Sequence, residues 1–150
     1  KHRIADIDQM RLDMRRALKT YEEIIEIAPE DERAYRMLVD IHFRQGNAVE
    51  AVRRLDKLLG VYARQRQIDR ILQLLEELAG IYPNDTGLRL ASVYRQLGRY
   101  SDAIRELDAL GELQLNAGLN ADAAHTIREI IKLNPDNIND YHKLLSQLGG

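Results

Sequence analysis

The sequence predicts an all-α fold, a solenoid of about eight antiparallel helices. Apolar residues recur three and four positions apart along most of the chain, and no useful stretch alternates with a period of two. An amphipathic helical turn stopped by a proline occurs three times, at 21–31, 75–85 and 127–137. Stacking of such repeated helical units buries a continuous apolar core, which is the usual architecture of a helical array.

Three prolines are predicted to end helices, because proline lacks a backbone donor and disfavours helical conformation in the residue before it. They are Pro29, Pro83 and Pro135. Two positions beyond each proline stands a residue that can cap the next helix by accepting from an unpaired backbone N–H. These candidate caps are Asp31, Asp85 and Asn137.

Two glycines, Gly46 and Gly98, are predicted to form tight turns inside the repeated units. Asn47 and Glu50, which follow the first glycine, resemble a capping box with Asn in place of Ser or Thr. Together, these signals place helices near 13–28, 32–44, 48–64, 68–82, 86–97, 100–116, 121–133 and 137–148.

The internal repeat is visible when residues 46–58 are laid over residues 98–110. The segments GNAVEAVRRLDKL and GRYSDAIRELDAL are identical at six of thirteen positions without a gap. Successive prolines are 54 and 52 residues apart, so each unit holds three helices. We expect one repeat domain over 1–150, cut from a longer protein, that comprises a partial unit 1–29, units 30–83 and 84–135, and a partial unit 136–150.

At these residues the chain resembles the tetratricopeptide repeat family, whose helix pairs carry a Leu-Gly-x-x-Tyr helix, a turn glycine, an alanine, a bulky apolar residue and a closing proline. The matching positions are Tyr35, Leu38, Gly46, Ala51 and Leu55 in the first unit, Leu90, Tyr94, Gly98, Ala103 and Leu107 in the second, and Gly118, Ala123, Ile127, Ile130 and Pro135 in a second phase. The alanines Ala51 and Ala103 are predicted to be buried, because a small side chain lets paired helices approach closely.

The unit of three helices differs from the helix pairs of the family. The sequence therefore does not determine on which face of the array each entry helix lies. If the long helices at 48–64 and 100–116 run straight, successive entry helices lie on opposite faces of the array. A break at Gly60 or Gly111 would restore the usual layering, because glycine weakens a helix by roughly 1 kcal/mol.

Composition excludes several classes of function. With 22 basic and 24 acidic residues, the net charge is −2, so no long-range attraction toward nucleic acid or anionic lipid is expected. There are no cysteines, which excludes a disulfide framework and suits a reducing compartment such as the cytoplasm. No apolar run approaches the roughly 20 residues that span a bilayer, so no membrane insertion is expected.

Neither a catalytic motif nor a metal-binding motif is present in the sequence. The histidines are scattered singly and are predicted to be partly exposed helix residues: His2, His42, His125 and His142. There is no Gly-rich phosphate loop and no nucleophile elbow. The adjacent carboxylates in pairs such as Glu22 and Glu23 point in different directions on a helix. We therefore expect no enzyme, no cofactor and no metal site.

The outward faces of two entry helices are the predicted contact surfaces for a partner. Their candidate residues are Arg33, Arg36, Asp40 and Arg44 on one helix, and Arg89, Ser92, Arg95 and Gln96 on the other. Arginine forks bind carboxylates bidentately, so an acidic or C-terminal peptide is one candidate ligand, and the alternative is an ordinary solvated face. The Lys and Asn clamp of chaperone-binding family members is missing at these positions.

The resemblance implies a non-catalytic scaffold that binds a protein or peptide. One alternative is self-assembly through the end helices, where five apolar residues make a polar outer face doubtful. They are Ile4, Ile7, Leu144, Leu145 and Leu148. Nucleic-acid binding by a helical repeat is a weaker alternative, because basic and aromatic residues do not interleave.

Overall fold

The computed structural model describes the backbone of residues 2–149 and the side chains of residues 9–149. Over this range the chain forms eight α-helices and no strand, so the predicted all-α fold is confirmed. The helices are α1 (His2–Ile27), α2 (Glu32–Arg44), α3 (Ala48–Arg64), α4 (Ile68–Ile81), α5 (Pro83–Gln96), α6 (Tyr100–Asn116), α7 (Asn120–Lys132) and α8 (Ile138–Gln147). None of the described helices is both long enough and apolar enough to cross a bilayer.

The chain divides into two compact units, Lys1–Ile71 and Leu72–Gly150. In the first unit, α2 packs against both α1 and α3. In the second unit, α6 packs against both α5 and α7, and α7 also packs against α8. Each of the two middle helices, α2 and α6, therefore supports a helix on either side of it.

The core of each unit consists of the apolar faces of these packed helices. In the first unit, Leu38, Leu55 and Leu58 are completely buried. Ala51 and Ala103, one in each unit, are also completely buried, so this prediction is confirmed. An alanine at these positions lets the backbone of a neighbouring helix come close, whereas a longer side chain would separate the axes.

Local hydrogen bonds explain where two of the helices begin. The Asp31 carboxylate accepts from the backbone N–H of Ala34 at 2.9 Å, which confirms it as the cap of α2. The Asn47 side chain accepts from the N–H of Glu50 at 3.5 Å, which is one half of the predicted capping box. Asn137 occupies the cap position of α8, but its side chain makes no capping bond.

Two predicted boundaries are wrong. Helix α4 ends at Ile81, just before Pro83, as predicted, but this proline also opens α5, since a proline in the first turn gives up a donor that has no helical partner anyway. Helix α5 therefore starts at Pro83 instead of residue 86, and Asp85 lies inside its first turn instead of capping it. Helix α1 begins at His2 instead of near residue 13, because no glycine or proline interrupts the chain before Pro29.

The long helices α3 and α6 are continuous, so neither Gly60 nor Gly111 breaks them. Gly111 is buried, and a Cβ added there would lie 3.6 Å from Cγ2 of Thr126 on α7. Close packing against α7 offsets the weak helix propensity of this glycine. Turn residues adopt positive φ angles, among them +75° at Gly46 and +76° at Gly98, as predicted.

Candidate partner-binding site

The predicted contact face on α2 consists of separate charged groups. Arg33 is exposed in the first turn. The Arg36 Nε donates to the Asp40 carboxylate at 3.4 Å, so this pair is at least partly neutralised within the helix. Arg44 lies at the far end of α2, exposed and beside Arg11 and Arg15 of α1.

The predicted contact face on α5 borders a groove. Ser92 and Arg95 are exposed on α5 and line this groove, whose opposite wall is α7. Gln96 is exposed but does not line it, and the Arg89 guanidinium donates to the carbonyl of Asp85 one turn earlier at 3.4 Å. The structure therefore brings two of the four predicted α5 residues to a concave surface.

This α5–α7 groove has a volume of about 250 Å³ and is open to solvent. Its lining combines apolar side chains with hydroxyl, guanidinium, imidazole and carboxylate groups. The lining residues are Leu88, Ala91, Ser92 and Arg95 on α5, Leu107 on α6, His125 and Glu129 on α7, and Leu133. Binding grooves usually combine apolar side chains with polar groups that fix the orientation of a ligand.

The charges at the two edges differ in their pairing. The Glu129 carboxylate accepts from Lys132 at 2.9 Å on the same helix. Arg95 has no carboxylate partner among the residues that the structure describes. The Arg95 guanidinium is consequently the group on the α5 edge that is available to an acidic partner.

The sequence did not indicate the α7 half of this groove. His125 was predicted to be partly exposed and is exposed, but neither it nor Glu129 was expected to face Arg95. Helices α5 and α7 become neighbours across the groove because both pack against α6. The spacing of Ser92 and His125 along the chain, 33 residues, contains no local signal of this proximity.

A protein-family model matches part of the first unit. The tetratricopeptide repeat model matches residues 13–67, which contain all of α2 and α3. This segment is similar to the tetratricopeptide repeat family. The resemblance predicted from the sequence is thereby confirmed, and Tyr35, Leu38 and Ala51 of its signature are all buried in the core of the first unit.

Similar solved structures are also found. The MamA protein aligns at 15% identity over 95% of this chain and 86% of its own, with a TM-score of 0.45. YrrB, described as a tetratricopeptide repeat protein with an unusual peptide-binding site, aligns at 16% identity over 93% of this chain and 87% of its own, with a TM-score of 0.34. A thermophilic tetratricopeptide repeat protein of Thermus thermophilus aligns at 18% identity over 95% of this chain and 94% of its own, with a TM-score of 0.31. No curated protein sequence matches this chain.

A polar network ties together the three helices that form the groove. The Gln114 amide of α6 donates to the Asn84 side chain of α5 at 2.8 Å and accepts from the Thr126 hydroxyl of α7 at 2.7 Å. Gln114 and Thr126 are both buried. Because buried polar groups are costly unless they are paired, these two bonds favour a single arrangement of α5, α6 and α7.

Two side chains of the second unit with raised pKa values, Tyr94 and Glu106, lie outside the groove. Burial, together with donation of its hydroxyl to Glu76 at 2.9 Å, raises the pKa of Tyr94 to about 12. The Arg99 guanidinium lies over the Tyr94 ring at 4.7 Å from its centre. Burial also raises the pKa of Glu106, with a smaller contribution from Glu76. None of these groups lines the α5–α7 groove, so the shifts do not indicate a catalytic site there.

One histidine departs from its predicted environment. His42 was expected to be partly exposed, but only 6% of it is accessible, because it lies on the side of α2 that packs against α1 and α3. Its Nε2 is 3.9 Å from the Glu22 carboxylate, which accepts two hydrogen bonds of 2.7 and 2.8 Å from Arg54.

Among the described residues, no group of three or more potential ligands could hold a metal ion.

Proposed function

We propose that this chain is a non-catalytic scaffold that binds a peptide segment of a partner protein in the α5–α7 groove. The observation that carries the proposal is the open groove, lined by both apolar and polar side chains, with an arginine, Arg95, that has no carboxylate partner among the described residues. The similarity of residues 13–67 to a family of helical repeats supports a role in recognition.

The chemistry of the groove favours a peptide with one apolar and one acidic side chain. An apolar side chain of the ligand would cover the half-buried Leu88 and Leu133, and burial of apolar surface contributes about 25 cal/mol per Å². The Arg95 fork would bind a carboxylate of the same peptide through two parallel hydrogen bonds. Glu129 and Ser92 remain as acceptors for the backbone N–H groups of the ligand.

The groove can be tested with peptides selected from a displayed random library against the wild-type chain. We expect the selected peptide to bind Arg95→Glu and Ser92→Trp at least tenfold more weakly, because the first reverses the recognition charge and the second fills the groove. Lys143→Glu, which makes an equal charge change on α8 outside the groove, is the control and should bind as the wild type does. Fluorescence anisotropy with the labelled peptide measures all four affinities.

Thermal unfolding of each variant separates lost binding from lost folding. Equal affinity of the wild type and the two groove variants would remove the α5–α7 groove as the site. Failure of the library to yield any binder would count against the scaffold function itself.

Self-association through α8 is a second candidate function. None of the residues of α8 is buried, and Leu144, Leu145 and Leu148 are only half-buried. The other predicted end residues, Ile4 and Ile7, lie outside the described side chains. An end helix with an incompletely covered apolar face favours stacking on another repeat.

Self-association can be tested by sedimentation over a concentration series. We expect a dimer in the wild type that Leu145→Glu disrupts. A monomer at every concentration would contradict this candidate function.

A further inference from the structure

A second concave surface lies in the first unit, between α1 and the C-terminal end of α2. It has a volume of about 380 Å³ and is lined by Arg11, Met14, Arg15, Arg44 and Gln45. We name these five residues the basic recess. Arg11 and Arg15 are four positions apart, so they share one face of α1, and Arg44 approaches that face from α2.

The three arginines of the basic recess have no carboxylate partner among the described residues. Most other arginines of the first unit do have one within 3.4 Å: Arg36, Arg53, Arg54, Arg64 and Arg70. Like charges four residues apart on a helix are mildly destabilising. The recess thus concentrates positive charge that no acidic side chain described in the structure neutralises.

This charge lies on a chain whose net charge is −2, so it is a local feature and not part of a basic surface. Three guanidinium forks within one recess match several carboxylates, each of which an arginine binds bidentately. The Met14 side chain and the Gln45 amide supply an apolar contact and a further hydrogen-bonding group. A bound nucleic acid would require a longer track of basic residues along its backbone.

We infer that the basic recess binds an acidic peptide segment through Arg11, Arg15 and Arg44. This site is independent of the α5–α7 groove, because it consists of different residues in the other compact unit. The ligand class is a run of Asp or Glu side chains in a partner protein, which pairs with the arginines by charge complementarity.

The experiment uses the full chain and a fluorescein-labelled peptide of alternating Glu and Ser, measured by anisotropy at low ionic strength. Arg11→Gln together with Arg44→Gln is expected to weaken binding at least tenfold. The matched control is Arg16→Gln together with Arg33→Gln, which removes the same number of charges from exposed positions of α1 and α2 outside the recess. The control should bind within twofold of the wild type, and added salt should weaken binding to the wild type.

Three results would overturn the inference. Equal weakening by both double variants would show that only overall charge attracts the peptide, and absence of binding to the wild type would remove the site. If an oligonucleotide of equal charge bound more tightly than the peptide, and Arg11→Gln with Arg44→Gln weakened that binding, the recess would be assigned to nucleic acid instead. Thermal unfolding of the Arg11→Gln and Arg44→Gln variant is expected to be unchanged or slightly higher, since mutual repulsion of the arginines is reduced.

Discussion

Replacement of Leu110 with alanine is expected to lower the free energy of unfolding by about 2 to 5 kcal/mol. Leu110 lies on α6 and is only 2% exposed. Its Cδ2 atom is 3.1 Å from the position that a Cβ of Gly87 would occupy, so the leucine fills the depression that this glycine leaves on α5. Truncation therefore removes apolar contacts and leaves a cavity that the rigid helix pair cannot close.

The matched control is Leu113→Ala, which removes the same atoms from the same helix at a side chain that is 43% exposed. Its expected cost is below about 1 kcal/mol, because nearly half of this residue already faces water and its truncation opens no enclosed cavity. Urea unfolding followed by circular dichroism measures both variants. Equal losses at the two positions would contradict the packing of α5 on α6.

Replacement of Ala103 with leucine is expected to destabilise the protein by about 1 to 3 kcal/mol through the opposite defect, overpacking. Ala103 is completely buried at the start of α6, in the helix that packs against both α5 and α7. Three additional carbon atoms find no free volume there, so the helix axes must move apart or the new side chain must adopt a strained rotamer.

Ala109→Leu is the control for this second prediction. Ala109 is exposed on the same helix, and the same enlargement there is expected to change stability by no more than about 0.5 kcal/mol. The measurement is again urea unfolding, with the slope of the transition compared between variants. An Ala103→Leu variant as stable as the wild type would mean that the close approach of α6 to its neighbours is misassigned.

The helix boundaries were largely predictable, because the signals that set them are local. The bounds of α3 and α6 agree with the predicted ranges 48–64 and 100–116, since a turn glycine precedes each helix and forces the chain to reverse. The start of α5 was misplaced because a proline can both follow the end of one helix and stand in the first turn of the next, and Pro83 does both. The hydrogen bonds reveal the second role, since the N–H of Thr86 donates to the carbonyl of Tyr82 at 3.1 Å.

The candidate sites were predictable only in part. Ser92, Arg95 and Arg44 were named from the sequence because helical spacing places them on outward faces. Their neighbours across each concavity, such as His125 and Arg11, belong to other helices and carry no signal of their own. Ion pairs within one helix, such as Arg36 with Asp40 four positions on, have a signal in the sequence, whereas the pairing of Arg54 with Glu22 of another helix has none.

The sequence by itself determined the repeated helical architecture, most helix ends and the burial of Ala51 and Ala103. These features follow from the 3.6-residue period and from capping and turn chemistry, which act over about four residues. The tertiary structure decided that α3 and α6 run through Gly60 and Gly111, that α5 and α7 border a common groove, and which arginines find carboxylates. Those outcomes depend on contacts between different helices, such as Gly111 with Thr126 and Arg54 with Glu22, which local sequence preferences do not specify.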